Sequence, residues 1–136
     1  MVKPIVKDVF FLQQKSQPAT PADASHGQDL LDTLNAHLHE CVGMAGNMIG
    51  VLKRIIVIRD GDKSRLMYNP VLLSSMGPYT QEEGCLSLTG VRTAQRFNLI
   101  RVRFQDETFQ TREETFAGFT AAIVQHEMAH LDGILI

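Results

Sequence analysis

The stretch that decides the fold is Gln125-His126-Glu127-Met128-Ala129-His130-Leu131-Asp132-Gly133, which contains an HExxH motif. On a helix, side chains four positions apart project from the same face, so His126 and His130 can bind a single metal ion. Glu127 lies about 100° around the helix from His126, where its carboxylate flanks the ion without ligating it. That is the position of a general base for a metal-bound water. A surface helix that carries two histidines by chance would show the same motif.

The residues beside the motif favour a buried helix over a surface helix. Phe119 and Ile123 precede His126 and His130 on one stripe at helical spacing. The opposite side is also apolar, with Val124, Met128 and Leu131. Such a helix is buried around most of its circumference. Because two neutral histidines in a core would leave ring nitrogens without partners, a metal ion is the better explanation of the motif.

The composition is that of an ordinary globular protein. The chain has 136 residues, so we predict a single metallohydrolase domain over residues 1–136. A net charge of −2 without a basic stripe argues against DNA or an anionic membrane as the partner. No stretch approaches the roughly 20 apolar residues of a membrane span, and residues 1–8 lack the apolar run of a signal sequence. We therefore expect a cytoplasmic protein.

The first part of the chain predicts an arm, a helix and a glycine-rich loop. Residues 1–19 are interpreted as an extended arm that lies on the domain. Thr20 and Pro21 are typical of a helix start, and we predict a helix to about Glu40. Its buried stripe consists of Leu31, Leu34, Leu38 and Cys41. Residues 41–50 break this pattern with three glycines among apolar residues, which favours the lining of a pocket over a plain connecting loop.

The middle of the chain predicts antiparallel strands. Residues 54–59 form a β-branched run, and residues 65–68 are its hairpin partner. Residues 69–70 are predicted to end that strand because of Pro70, with a further short strand at 71–73 and a turn at 76–79. Residues 99–104 alternate apolar and basic residues, and residues 108–111 return the chain before a helix begins near Thr115. The predicted fold class is α+β, with antiparallel strands packed round a central HExxH helix.

A third metal ligand is needed, since a catalytic ion takes three protein ligands and keeps one open position. Carboxylates are available, but Cys85 stands out because it lies between Gly84 and Leu86 just after two acids. A thiolate there would neutralise one unit of the ion's charge. The alternatives are a small buried hydrophobic residue, as most free cysteines are, or a disulfide with Cys41, which is improbable in a cytosolic chain.

Three segments of the chain form an ordered set of motifs: residues 43–50, residues 83–87 with the sequence Glu-Gly-Cys-Leu-Ser, and the HExxH stretch itself. In sequence, order and spacing they resemble the three motifs of peptide deformylases. The resemblance runs from about residue 26 to residue 136 and implies a deformylase-like fold. The implied reaction is metal-dependent removal of the formyl group from the N-terminal formyl-methionine of nascent polypeptides.

The resemblance also implies the parts of the metal site. The ligands are Cys85, His126 and His130, the fourth ligand is water, and Glu127 is the general base and acid. The cofactor is one divalent ion, Fe2+ in the cell, with Zn2+, Ni2+ or Co2+ in preparations. The implied partners are N-formylated peptides of nascent chains, together with a transient ribosome contact.

Substrate-binding groups are implied in the same way. In the family, the backbone N–H of the residue after the cysteine, here Leu86, and a glutamine of the first segment stabilise the oxyanion. Gly43, Met44 and Ile123 would line the methionine pocket, with the substrate backbone pairing beside Gly43 as an added strand. Met48 occupies the position of this glutamine and is expected to contact the substrate. A further match is Arg96, which is expected to pair with Glu83.

The first segment departs from the family pattern. Cys41 replaces its first glycine, Gly46 its second alanine and Met48 its glutamine, while Ala129 replaces the aspartate that usually follows the HExxH methionine. Of these, Met48 alone touches the chemistry, and the loss of one oxyanion donor typically costs about 10²- to 10³-fold in rate. Asn47 can substitute only if the loop shifts by one residue.

Three functional interpretations remain, and the leading one is a deformylase that is weakened or retuned. The second is a deformylase-like metal-binding protein with little activity or with a different N-acyl substrate. The third is an HExxH endopeptidase, which is disfavoured because a small domain offers little room for a long two-sided cleft.

Overall fold

The computed structural model describes residues 1–136, which form one five-stranded antiparallel sheet and three helices. The strands are β1 (Gly43–Ala45), β2 (Ile55–Asp60), β3 (Lys63–Cys85), β4 (Leu88–Gln105) and β5 (Thr111–Ala117), and they lie in chain order in the sheet. The helices are α1 (Val9–Leu12), α2 (Ala24–Asn35) and α3 (Gly118–Leu131), with 3-10 turns at Pro21–Asp23 and Gly46–Ile49. None of these helices has the length and apolar character needed to cross a membrane. The predicted α+β class is confirmed.

Strand β2 is buried on both faces, which explains its unbroken apolar run. Ile56 and Ile58 join a core cluster with α3, while Ile55 and Val57 join a second cluster with α2. Successive residues of a strand alternate between the two faces of a sheet in this way. The α3 cluster also contains Ala45, Ile100, Val102, Phe104, Phe116, Ile123, Val124 and Leu131. The HExxH helix is therefore packed into the larger of the two cores.

The N-terminal arm lies along the domain as predicted and is interrupted by the single turn α1. The Val6 N–H donates to the Met48 carbonyl at 2.8 Å, and the Ser16 N–H donates to the Leu131 carbonyl at 2.9 Å. Leu12, at the end of α1, is completely buried. The arm therefore contacts both the Gly46–Ile49 turn and the last turn of α3.

Helix α2 is shorter than predicted and buries a partly different stripe. It ends at Asn35 rather than near Glu40, because the last turn tightens with a hydrogen bond from the His37 N–H to the Leu34 carbonyl at 2.8 Å. Its buried residues are Gly27, Leu30, Thr33 and Leu34. Leu38 lies beyond the helix and is 41% exposed. Of the predicted stripe, Leu34 is buried in the α2 cluster and Leu31 and Cys41 pack against that cluster, so the prediction was wrong only for Leu38.

Pro70 does not end the second strand of the hairpin, contrary to prediction. β3 continues to Cys85, with a register shift between Tyr68 and Val71. Asn69 takes a positive φ of 51° there, and its side-chain amide donates to the Ala19 carbonyl at 3.0 Å. Pro70 has no backbone N–H to donate to β4, and the bulge accommodates it. The hydrogen-bonded pairing with β4 therefore resumes after the bulge. Residues 71–79 are therefore one continuous strand rather than a short strand and a turn.

The HExxH helix begins later than predicted. Strand β5 runs to Ala117, and α3 starts at Gly118 rather than near Thr115. Gly118 has a φ of +58°, a conformation that glycine adopts without strain. The sharp change of direction at this glycine turns the chain from the sheet edge back across the core.

Candidate metal centre

Three potential ligands converge between α3 and the end of β3. The Sγ atom of Cys85 lies 3.4 Å from Nε2 of His130, which lies 3.1 Å from Nε2 of His126. All three donor atoms are within 4.8 Å of one another. Ligand atoms of a tetrahedral zinc-like site are about 3.3 to 3.6 Å apart when the metal bonds are about 2.0 to 2.3 Å. The donor types and their spacing therefore fit one divalent ion.

The carboxylate of Glu83, whose side chain is 9% exposed, fixes the orientation of His126. Glu83 Oε1 accepts a hydrogen bond from Nδ1 of His126 at 2.8 Å, so Nε2 faces the other two donors. Arg96 donates to Glu83 from Nε at 2.9 Å and from Nη2 at 2.7 Å, and Gln81 donates from Nε2 at 2.6 Å. Burial alone would raise the pKa of Glu83, but these hydrogen bonds lower it to about 2. The expected pairing of Arg96 with Glu83 is present.

At neutral pH the two histidines together carry one proton more than two neutral imidazoles, so the pair has a single positive charge. Burial works against a charged ring, but hydrogen bonds with Cys85 and Glu83 outweigh it and raise the pKa of His126 to about 10. Burial, followed by the charge of His126, lowers the pKa of His130 to about 3. A cation bound at this site takes the place of that proton, so binding releases it.

Glu127 lies beside the three donors without sharing their contacts. Its side chain is buried and its Oε1 atom has no hydrogen-bond partner in the protein. Burial raises the pKa of Glu127 to about 7, against the opposing charge of His126. A carboxyl group that titrates near neutral pH can accept a proton and return it. This is the chemistry of a general base and acid.

Gly43 makes the space that Glu127 occupies. A Cβ atom at this position would lie 2.9 Å from Oε2 of Glu127 and 2.8 Å from Cγ2 of Ile123. Contacts this short force neighbouring atoms to move. The absence of a side chain on β1 therefore sets how closely the carboxylate approaches the strand.

The donors open into a cleft of about 700 Å³. Its lining includes four of the predicted substrate-site residues, namely Gly43, Met48, Leu86 and Ile123. Met44, predicted to line the same pocket, does not reach it and is completely buried in the α2 cluster. Because neighbours on a strand point to opposite faces, Gly43 can face the cleft only if Met44 faces away.

Sequence reasoning missed part of the cleft lining. The missed residues include Leu38, Gln81 and Ala122, whereas Val42 lies in the segment 41–50 that was predicted to line a pocket. Phe119 was placed in the core but is 70% exposed, and it lines the outer part of the cleft from the first turn of α3. Ala122 stands four positions before His126, so helical spacing could have found it. Nothing local in the sequence marks Leu38 or Gln81.

Residues 41–50, which we call the cleft loop, place Asn47 and Met48 on different sides. Met48 lines the cleft, and its Sδ atom accepts a contact from the Ala45 N–H at 3.5 Å. Asn47 is completely buried and points away from the cleft, donating to the His130 carbonyl at 3.1 Å. Asn47 therefore does not take the place of the glutamine that the resemblance expects, and no side-chain amide donor stands at that position.

The two cysteines differ in their surroundings. Both are free thiols and both line the cleft. Burial, followed by the charge of Glu127, raises the pKa of Cys41 to about 11. Cys41 therefore stays protonated at neutral pH, while the thiol of Cys85 lies within hydrogen-bonding distance of His130. This difference supports Cys85 rather than Cys41 as the sulfur ligand.

Comparisons with known proteins point to one family. The chain matches the family described as polypeptide deformylase over residues 2–136. A peptide deformylase of Clostridium beijerinckii is 52% identical over 136 residues, which is 100% of both chains. The crystal structure of the peptide deformylase from Thermus thermophilus has a TM-score of 0.87 and 33% identity, covering 98% of this chain and 83% of that one. The structure from Thermotoga maritima has a TM-score of 0.89 and 26% identity, covering 99% and 95%.

Proposed function

This chain belongs to the peptide deformylase family, and we propose that it hydrolyses N-terminal formyl-methionine by means of a divalent ion held by Cys85, His126 and His130. As a family member it is a hydrolase that removes N-formyl groups from nascent peptides. The observation that carries the assignment of the site is the convergence of three donor atoms within 4.8 Å, beside a buried carboxylate without a partner. We further propose that residues 1–136 act as one domain.

Glu127 performs the proton transfers of this reaction. A bound divalent ion supplies Lewis-acid activation of water and of the formyl carbonyl. Glu127 accepts a proton from the attacking water and donates it to the amine nitrogen as the carbon–nitrogen bond breaks, which yields formate and a free N-terminus. Burial keeps the pKa of Glu127 near neutrality, so both transfers are accessible to the same group.

The remaining groups hold the substrate. The apolar side of the cleft, including Val42, Leu86 and Ile123, accepts the methionine side chain. The substrate backbone pairs beside Gly43 as an added strand. The Leu86 N–H, in the turn between β3 and β4, stabilises the oxyanion without help from Met48, which has no donor. We therefore expect a working but slow deformylase.

The donor set also favours particular ions and a particular setting. One thiolate and two imidazoles suit Fe2+, Co2+, Ni2+ and Zn2+ better than Mg2+ or Ca2+. We propose Fe2+ in the cell and Zn2+, Ni2+ or Co2+ in preparations. We place the reaction in the cytoplasm, with transient ribosome contact where formylated chains emerge. The net charge of −2 supports a role without DNA or membrane binding.

The alternative of a metal-binding protein with little activity is less well supported. Met48 favours it, but the buried carboxylate of Glu127 and its space at Gly43 serve no purpose in a passive metal site. These two features support the proposed role of Glu127 as a general base.

Formate release tests the proposal directly. Protein loaded with one metal should release formate from a formyl-Met-Ala-Ser peptide, lose this activity in a chelator and regain it when metal returns. An acetyl-Met-Ala-Ser peptide is the control, because the larger acyl group requires room beside the donors. Absence of formate release by metal-replete protein would overturn the proposal.

A further inference from the structure

Asn47 is a fully buried polar residue that no part of the hydrolytic reaction uses. It lies in the 3-10 turn Gly46–Ile49 of the cleft loop. Its Nδ2 atom donates to the His130 carbonyl at 3.1 Å and to the Leu12 carbonyl at 3.4 Å. Its Oδ1 atom is buried without a partner. One side chain thus joins the cleft loop, the N-terminal arm and the HExxH helix.

His130 lies in the last turn of α3. The last four carbonyls of a helix have no partner within it. Here the His130 carbonyl accepts from the Gly133 N–H at 3.0 Å as well as from Asn47. The next carbonyl, of Leu131, accepts from the Ser16 N–H at 2.9 Å and from Nη1 of Arg54 at 3.1 Å. The turn that carries His130 is therefore fixed by groups from outside the helix.

Stability gives only a weak reason for an asparagine at this position, since the unpartnered oxygen offsets much of what its two donated hydrogen bonds contribute. A buried amide oxygen without a partner costs about 1 to 3 kcal/mol, and an apolar side chain of similar size avoids that cost. What the asparagine adds is a donor aimed at the backbone of His130. Because a helical side chain moves with its own backbone, a donor that holds this carbonyl also limits the movement of the imidazole.

We propose that Asn47 is a positioning residue that fixes His130 in its metal-binding orientation and links it to the N-terminal arm. The inference rests on the proposed role of His130 as a ligand. Groups that orient a metal ligand typically contribute about 10- to 100-fold to metal affinity. Since Asn47 acts on the backbone of His130 rather than on its ring, we expect a change near the lower end, about 10-fold.

The test uses Co2+ as a spectroscopic probe in the intact protein. The positions and intensities of its visible bands report the geometry of the ligands, and competition with a chelator gives the affinity. Asn47→Ala removes the donor, and Asn47→Leu removes it while keeping a side chain of similar size. Leu12→Ala is the matched control, because it removes a completely buried side chain but leaves the carbonyl that Asn47 contacts.

Both Asn47 variants should shift the Co2+ bands and weaken Co2+ binding about 10-fold. Leu12→Ala should lower the melting temperature while it leaves the bands and the affinity of the folded protein unchanged. Unaltered bands in the Asn47 variants, or an equal shift in Leu12→Ala, would overturn the inference. His130→Ala separates this failure from failure of the proposed site, since parental bands and affinity in that variant would refute His130 as a ligand.

Discussion

The two sides of the cleft differ in how closely they match the residues that the resemblance implies. One side, which we call the ligand side, consists of α3 and the end of β3, and it contributes Cys85, His126, His130 and Glu127. The other side is the cleft loop, residues 41–50. The ligand side has every metal ligand and the general base that the resemblance to deformylases implies, and its one departure is Ala129 in place of an aspartate. The cleft loop carries Cys41, Gly46 and Met48 in place of the expected residues.

The difference follows from what each side must provide. The ligand side supplies atoms of particular elements at particular distances, and Glu83 and Arg96 hold them from behind. The cleft loop supplies mainly backbone and shape, because β1 pairs with β2 through residues 43–45 and leaves the nature of many side chains open. Changes on the ligand side should therefore abolish metal binding or catalysis, while changes in the cleft loop should adjust the rate.

The largest effect is expected when the sulfur ligand is removed. Cys85→Ala should lose the bound metal and with it all measurable formate release, because two histidines alone hold a divalent ion weakly. Metal content after gel filtration and activity with added metal would measure this. Cys41→Ala is the matched control, since it removes the other thiol of the cleft and should keep a full equivalent of metal. Full retention of metal by Cys85→Ala would contradict the assignment of the thiolate.

Removal of the general base should separate catalysis from metal binding. Glu127→Gln should keep its metal but lower kcat by about 10²- to 10⁴-fold, the usual contribution of general acid–base catalysis. In the parent enzyme, the rate should rise with pH as Glu127 loses its proton. The pKa of Glu127 is about 7 without metal, and a nearby cation favours the carboxylate, so this rise should occur below pH 7.

The pH–rate profile of Glu127→Gln should lack that acidic limb. Glu82→Gln, which changes an exposed carboxylate of the same cleft, is the control and should keep both the rate and the limb. An unchanged kcat in Glu127→Gln would mean that another group takes the proton.

The ligand side could largely be predicted from the sequence, for a physical reason. The spacing of His126 and His130 fixes their common face on any helix, and Cys85 can be recognised from its local motif. The contact of His126 with Glu83 was not predicted, since Glu83 lies more than forty residues away and their contact depends on the fold. The common face of His126 and His130 follows from local helix geometry, whereas the contact between His126 and Glu83 depends on tertiary packing.

The cleft loop and the strands were predicted less well because their side-chain directions depend on register. Met44 was predicted to line the cleft, but the pairing of β1 with β2 directs its side chain to the opposite face of the sheet, where it packs in the α2 cluster. Pro70 was expected to end a strand, but the contacts of Asn69 with Ala19 and Gln105 carry the ladder past it. Phe119 follows the helical period of the core but stands in a first turn that the sheet does not cover.

Loss of the carboxylate behind His126 should have a smaller effect than loss of a ligand. Glu83→Gln should weaken metal binding by about 10- to 100-fold, because the ring of His126 loses its charged acceptor. Chelator competition would measure the change. Gln81→Ala, which removes one hydrogen bond to Glu83 and leaves its pairing with Arg96, should weaken binding less. Equal losses in the two variants would contradict a specific role of the carboxylate.

The same carboxylate links stability to pH in the metal-free protein. The pKa of Glu83 is about 2 in the folded protein, below its ordinary value near 4.5. Its contribution to the free energy of unfolding is therefore present above pH 4.5 and is lost as the pH falls toward 2. Glu83→Gln should show a smaller loss of stability than the parent over this range, as measured by urea unfolding of both proteins.

The smallest effect, and the only gain, is expected from Met48→Gln in the cleft loop. A glutamine is close to methionine in length, and its Oε1 atom can accept the Ala45 N–H that now contacts Sδ of Met48 at 3.5 Å. Its Nε2 atom is then free to donate to the oxyanion. Single oxyanion donors are worth about 10²- to 10³-fold, and we expect a rise of roughly 10-fold in kcat because the surrounding loop is packed for methionine.

The cleft loop limits how far this change can be extended. Gly46 cannot be returned to the alanine of the family pattern at the same time, since a Cβ atom there would lie 2.9 Å from the Val51 carbonyl and 3.0 Å from the Lys53 carbonyl. The single variant is therefore compared with Met48→Leu, which keeps an apolar side chain and should not raise kcat. Steady-state kinetics on one formyl-Met tripeptide, with all proteins carrying the same metal, measures kcat and KM separately. A gain confined to kcat would locate the new interaction in the transition state. An unchanged kcat, or an equal gain in Met48→Leu, would mean that the loop stabilises the oxyanion without a side-chain donor. That result would remove the proposed functional difference between the two sides of the cleft.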